Sequence, residues 1–211
     1  MTDFSKIKRL FGITEPKGFA PDDIQTIKSI HGKLPLVLID YYSELGAEEL
    51  VNQTQDSLIL PGQFDHFQND DYLIFYRENQ RACVWGIQKR DLSLSDPPVY
   101  ASDDEKSWHL ECERLSDFLL AMAYLQALFA LEYRTDNFPE LNEDGLKFIQ
   151  ENFQNKGVSF RFWTTGIEFY GNYEDSIIAV MGGGSYFSYY SRDKNHFDEM
   201  DNVLSVLSEM E

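Results

Sequence analysis

Residues 118–131 read FLLAMAYLQALFAL and carry no charge, in a chain of 211 residues that has 36 acidic and 18 basic side chains. A membrane span needs about 20 apolar residues, so this run is too short to cross a bilayer. It is also longer than an ordinary strand, and Leu, Ala and Met are strong helix formers. The spacing predicts a central helix over 116–132, with Ser116 as its N-cap and a staple from Leu115 to Leu120. A helix that is apolar nearly all round must be covered on several sides, and a chain of this length can bury the core that covers it.

The remaining patterns supply the cover. Ile24, Ile27 and Ile30 recur at helical spacing after Pro21-Asp22-Asp23 and stop at Gly32, which predicts a first helix. A second is expected over 35–45, opened by Pro35 and closed by Gly46. The short apolar groups Leu50-Val51 and Leu58-Ile59-Leu60 read as a strand pair before the Pro61-Gly62 turn. Residues 73–76 and 82–87 flank a polar Arg77-Glu78-Asn79-Gln80-Arg81 segment, the pattern of an antiparallel hairpin. Its alternation puts Cys83, Trp85 and Ile87 on one face and Val84 and Gly86 on the other. Asp96-Pro97-Pro98 forces an extended chain into Val99-Tyr100, and Asp103-Asp104-Glu105 is an acidic turn. Beyond Pro139, Gly145–Phe153 suggests a helix, four strand-like runs lie between 158 and 190, and 197–207 returns to helical spacing. Helices and antiparallel strands without βαβ alternation make an α+β fold.

The formal net charge of −18 opposes a polyphosphate backbone and favours a basic protein partner. Solubility alone is the plainer use of such a charge. The 16 Phe and 12 Tyr residues exclude wholesale disorder. Cys83 and Cys112 form no CxxC pair, which suits a reducing compartment, and Cys83 reads as a small core residue. The start, MTDFSKIKRLFGITEP, lacks a secretory apolar segment, so a cytoplasmic location is expected.

The search for chemistry returns little. His31, His66, His109 and His196 show no HxH or HExxH spacing, so no metal site is expected. Gly182-Gly183-Gly184-Ser185 lacks the lysine of a phosphate loop and precedes YFSYY, which makes a glycine hairpin turn the better account. Ser191-Arg192-Asp193-Lys194 matches SxxK without the motifs that accompany it in serine enzymes. Carboxylate pairs such as Asp103-Asp104 read as solvated turns. Neither catalytic residues nor a cofactor are expected, although an enzyme with an unrecognised site stays open.

The ordered set LPxxLxxYYxxxG at 34–46, Glu78-Asn79-Gln80, CxWGI at 83–87, DPPVY at 96–100, Trp108 and LSDFLLAM at 115–122 resembles the SUKH superfamily, named from Smi/Knr-type proteins. The resemblance runs from about Pro21 to Leu131. It implies a mainly antiparallel twisted sheet flanked by helices over 1–140, leaving 141–211 as a strand-rich α+β extension packed on it. It also implies a role: many bacterial members are immunity proteins that bind a cognate toxin, while eukaryotic members act as regulatory scaffolds. A toxin with a basic, nuclease-type groove would suit the charge. The contacts expected are Glu78, Asn79, Gln80, Asp96, Tyr100, Asp103, Asp104 and Glu105, on turns held by the sheet, with Trp85 and Trp108 read as core anchors. No nucleic acid or membrane partner is expected.

Overall fold

The computed structural model describes residues 2–209. The fold is α+β, with two five-stranded antiparallel sheets. Four helices come first: α1 (Ser5–Phe11), α2 (Pro21–His31), α3 (Leu36–Glu44) and α4 (Glu49–Asn52). The first sheet has the order β1 (Ser57–Leu58), β2 (Tyr72–Arg77), β3 (Val84–Gln88), β4 (Val99–Ser102) and β5 (His109–Cys112). Helix α5 (Leu115–Ala130) follows. The second sheet runs β6 (Tyr133–Arg134), β10 (Tyr186–Ser191), β9 (Ser176–Met181), β8 (Ile167–Tyr170) and β7 (Asn155–Phe160). Helices α6 (Glu143–Asn152) and α7 (Lys194–Leu204) pack on it.

The apolar run forms α5, and eleven of its sixteen residues are buried. One continuous core gathers Phe75, Trp85 and Ile87 from the first sheet, Phe118 and Met122 from α5, and Phe160, Phe169 and Ile177 from the second. Strand alternation divides the second sheet. Ile177 and Ala179 join the α5 core, whereas Ile178 and Val180 pack with Ile149 of α6 and Met200 and Leu204 of α7.

Two local expectations change. Leu50-Val51 lies in helix α4 rather than a strand, because Asn52 turns its amide inward: Nδ2 donates to the Leu45 and Glu48 carbonyls at 2.6 and 3.1 Å, and Oδ1 accepts from Tyr41 Oη at 2.8 Å. Ser116 is not the N-cap of α5. The helix starts after Arg114, and Ser116 lies inside its first turn, where its backbone N–H and hydroxyl both donate to Asp96. The glycine turn is as expected: Gly182, Gly183 and Gly184 link β9 to β10 with φ of 64, 66 and 99°.

Candidate interaction surface

Strand alternation gives the first sheet an inner face on α5 and an outer face. Leu73, Phe75, Trp85 and Ile87 point inward. A bulge between Ile74 and Tyr76 turns Tyr76 inward as well. Tyr72, Ile74, Val84 and Gly86 fall outside both apolar clusters, on the outer face. Gly86 leaves room there for Trp108: a β-carbon at 86 would meet the indole at 3.0 Å. Trp108 in turn stacks on Tyr72, with ring centroids 3.9 Å apart and planes 10° from parallel, and Tyr100 meets Tyr72 edge-on at 5.7 Å. Trp108 is therefore half-buried on the outer face and is not a core anchor, unlike the fully buried Trp85.

Beside this stack opens a cleft of about 620 Å³. Asp70, Asp71 and Glu105 line it, opposed by Lys89, Arg90 and Lys106. Asn69 closes one side by donating from Nδ2 to the Glu105 carbonyl at 3.1 Å. Gln88 reaches in from the end of β3 and donates to Tyr72 Oη at 2.8 Å. The expected contacts Tyr100 and Glu105 thus belong to one neighbourhood with Asp103 and Asp104, which are exposed on the same turn. Asp104 organises that turn: it accepts from the Lys106 and Ser107 N–H groups at 2.8 and 2.6 Å, which hold its carboxyl down to about 2. Sequence reasoning missed Asn69, Tyr72, Gln88 and Lys89, because they converge only when the strands pair.

The other expected contacts divide. Asn79 and Gln80 are exposed on the β2–β3 turn, and pairing of Val84 with Ser102 sets that turn at the same end of the sheet as the start of the β4–β5 turn. Glu78 is only 5% exposed. Its carboxylate accepts from the Gln80 and Ala82 N–H groups at 2.7 and 2.9 Å and holds Arg81 at φ 64°, so it builds the turn rather than meeting a partner. Asp96 is half-buried and accepts from Ser116 N and Oγ at 2.8 and 2.6 Å, which anchors the first turn of α5. Both were expected as exposed acids; their structural bonds explain why they turn inward.

Cys83 is buried at 1% exposure, and burial pushes its thiol up to about 12, which leaves it a poor nucleophile. Of the SxxK residues, Ser191 is buried against Ser176, while Lys194 pairs with Asp198 at 2.6 Å. Among the described residues no helix is long and apolar enough to cross a membrane. Neither a protein-family model, a curated protein nor a solved structure matches the chain. The SUKH resemblance therefore rests on the residues quoted for it.

Proposed function

We propose that the protein is a non-catalytic immunity protein that binds a cognate bacterial toxin through the outer face of its first sheet. The observation that carries this reading is the exposed Asp103–Glu105 turn beside a stacked Tyr72–Trp108 pair, on a chain of net charge −18. Trp108, half-exposed and held by its stack on the buried Tyr72, offers contact area at low entropic cost, and an acidic surface accelerates encounter with a basic groove. A toxin that handles nucleic acid presents such a groove, and carboxylates would lie where phosphates otherwise lie. Glu78 shapes the β2–β3 turn whose Asn79 and Gln80 extend this surface, and Asp96 anchors the first turn of α5.

The test is affinity capture from the native cell followed by growth rescue with the recovered effector. Protection that is lost with Trp108→Ala plus Asp103→Asn, in a protein that still folds, supports the reading. Its rate of association should fall steeply with added salt. Turnover of a substrate by the purified chain, abolished by one change in a cleft, would overturn it.

A further inference from the structure

Histidine spacing along the chain gives no metal motif, yet among the described residues the fold assembles one set of ligand types. Asp193 and His196 occupy the cap and first turn of α7, and Asp175 lies on the turn before β9. One donor atom from each of the three lies within 4.8 Å of the others. His196 Nδ1 sits 2.9 and 3.1 Å from the two oxygens of Asp175. The ring is fixed by Tyr173, stacked on it at 3.8 Å and 5° from parallel. Asp175 is 7% exposed, so its carboxylate has little access to water. Asp193 is held by the helix end: Oδ1 takes the N–H groups of both Asn195 and His196, at 2.8 and 3.3 Å, which directs the carboxylate without using its second oxygen.

We propose that Asp175, Asp193 and His196 form an open three-ligand site for a first-row divalent cation such as Zn²⁺ or Co²⁺. One imidazole and two carboxylates suit these ions, whereas Ca²⁺ prefers oxygen ligands alone. Asp175 and His196 border a cleft of about 580 Å³ that includes Gly12, Thr14 and Arg192, which gives an entry path and room for water in the remaining coordination positions. Of the nearby cations three are engaged elsewhere, while Arg192 lines the same cleft with its side chain against Gly12. Arg9 is paired with Glu174 at 2.7 Å and Lys8 with Glu44 at 2.6 Å, while Lys156 donates to the Tyr173 carbonyl at 2.6 Å. The hydrogen bonds that orient the ligands have outer-shell form: Ser176 Oγ reaches Asp175 at 3.3 Å, and backbone N–H groups hold Asp193. On binding, Nδ1 gives its lone pair to the ion, and the neutral ring keeps its one proton on Nε2. The bound ion would tie the first turn of α7 to the turn preceding β9.

The assignment does not rest on the immunity reading. The chelator-treated full chain is titrated with Co²⁺, followed by visible absorption, and with Zn²⁺, followed by calorimetry and thermal unfolding. Saturable binding with one ion per chain and a raised Tm are expected. Asp193→Asn is the sharp variant, because Asn still caps the helix while losing the charged oxygen; its affinity should fall about tenfold or more. His196→Ala should lose the absorption change, and His66→Ala, exposed and remote, should behave as the unaltered chain. The proposal is overturned by the absence of saturable binding at about 1 mM ion. It is equally overturned if Asp193→Asn and His196→Ala bind as the unaltered chain does, or if His66→Ala loses the ion.

Discussion

Glu111 and Asp56 are both sealed from solvent, at 0% and 1% exposure, but their surroundings are opposite. Glu111 accepts the Trp85 indole N–H at 3.0 Å and the backbone N–H groups of Arg161 and Phe162 at 2.7 and 2.8 Å, while the Trp163 N–H forks to both its oxygens at 3.3 Å. Asp56 has no well-formed hydrogen bond to either carboxyl oxygen among the described residues. It also faces another acid: Ser57 pairs with Arg77, so Asp56 stands next to Glu78 across the end of the β1–β2 ladder. Burial first, then the charge of Glu78, raises the Asp56 carboxyl to about 7, and the nearby Asn79 backbone offsets only part of this. A buried acid can thus be a joint or a liability, and the number of donors around it decides which.

The largest effect is expected where donors converge. Glu111 joins the first sheet to the segment that follows β7 in the second. Glu111→Ala strands three backbone N–H groups and an indole N–H at once, and should cost about 3–5 kcal/mol. Urea unfolding measures it. A loss under about 1 kcal/mol would mean that these donors find water readily, and the contrast with Asp56 would collapse.

For Asp56 the sign reverses. The folded state keeps a proton on this carboxyl that the unfolded chain releases near 4, so the native state binds more protons across the window from about 4 to about 7. Stability falls as pH rises through that window and levels off above it, by roughly 2–4 kcal/mol from this group. Asp56→Asn removes the ionisation, so unfolding free energies at pH 4.5, 6 and 8 should lose this downward component. If the variant keeps the same slope as the unaltered chain, the proton is held elsewhere.

This contrast also marks what the sequence could disclose. The central helix, the β2–β3 hairpin and the glycine turn are written in local periodicity and turn chemistry, and each appears where it was expected. The two-residue group Leu50-Val51 has no period of its own, so the strand expected there had no pattern behind it, and the helix is set by Asn52 bonding to carbonyls of residues 45 and 48. Gln126 interrupts an apolar helix in the sequence without explanation. In the fold its Oε1 accepts the Gln55 N–H at 2.6 Å and its Nε2 donates to Tyr76 Oη at 2.9 Å, pinning the chain just before β1. The sites suffered most. Glu78, Asp96 and Glu111 are all acids near turns or strand ends in the sequence, and only the donors that the folded chain turns toward them, from its own turn for Glu78 and from distant segments for Asp96 and Glu111, distinguish the structural ones from the exposed Asp103 and Glu105. The Asp175, Asp193 and His196 cluster was similarly hidden, because one ligand comes from 21 residues before the histidine.

Asp96 lies between the extremes. Its two bonds to Ser116 satisfy one free N–H in the first turn of α5, from a half-buried position that water can reach when the side chain is removed. Asp96→Ala should therefore cost about 1 kcal/mol, the scale of a lost helix cap. Chemical denaturation should show it without a change in m-value. A loss as large as that of Glu111→Ala would show that the cap supports more of the core than its own turn.

The smallest effect on stability is expected at Glu105, and it separates folding from recognition. Glu105 is exposed and sits at φ 57°, a left-handed conformation that its β-carbon disfavours. Its fixed partner, Asn69, bonds to the backbone carbonyl, which any residue supplies. Glu105→Gly relieves the left-handed strain but adds freedom to the unfolded chain, and the two nearly cancel, leaving stability within about 1 kcal/mol of the original. The same change removes a carboxylate from the mouth of the aromatic cleft, so association with the proposed basic partner should slow and lose part of its salt dependence, while its dissociation, which on that proposal the half-exposed Trp108 governs, should change less. Equal association rates for the two chains at low salt would remove the β4–β5 turn from the contact face and leave Asn79 and Gln80 to carry the rim.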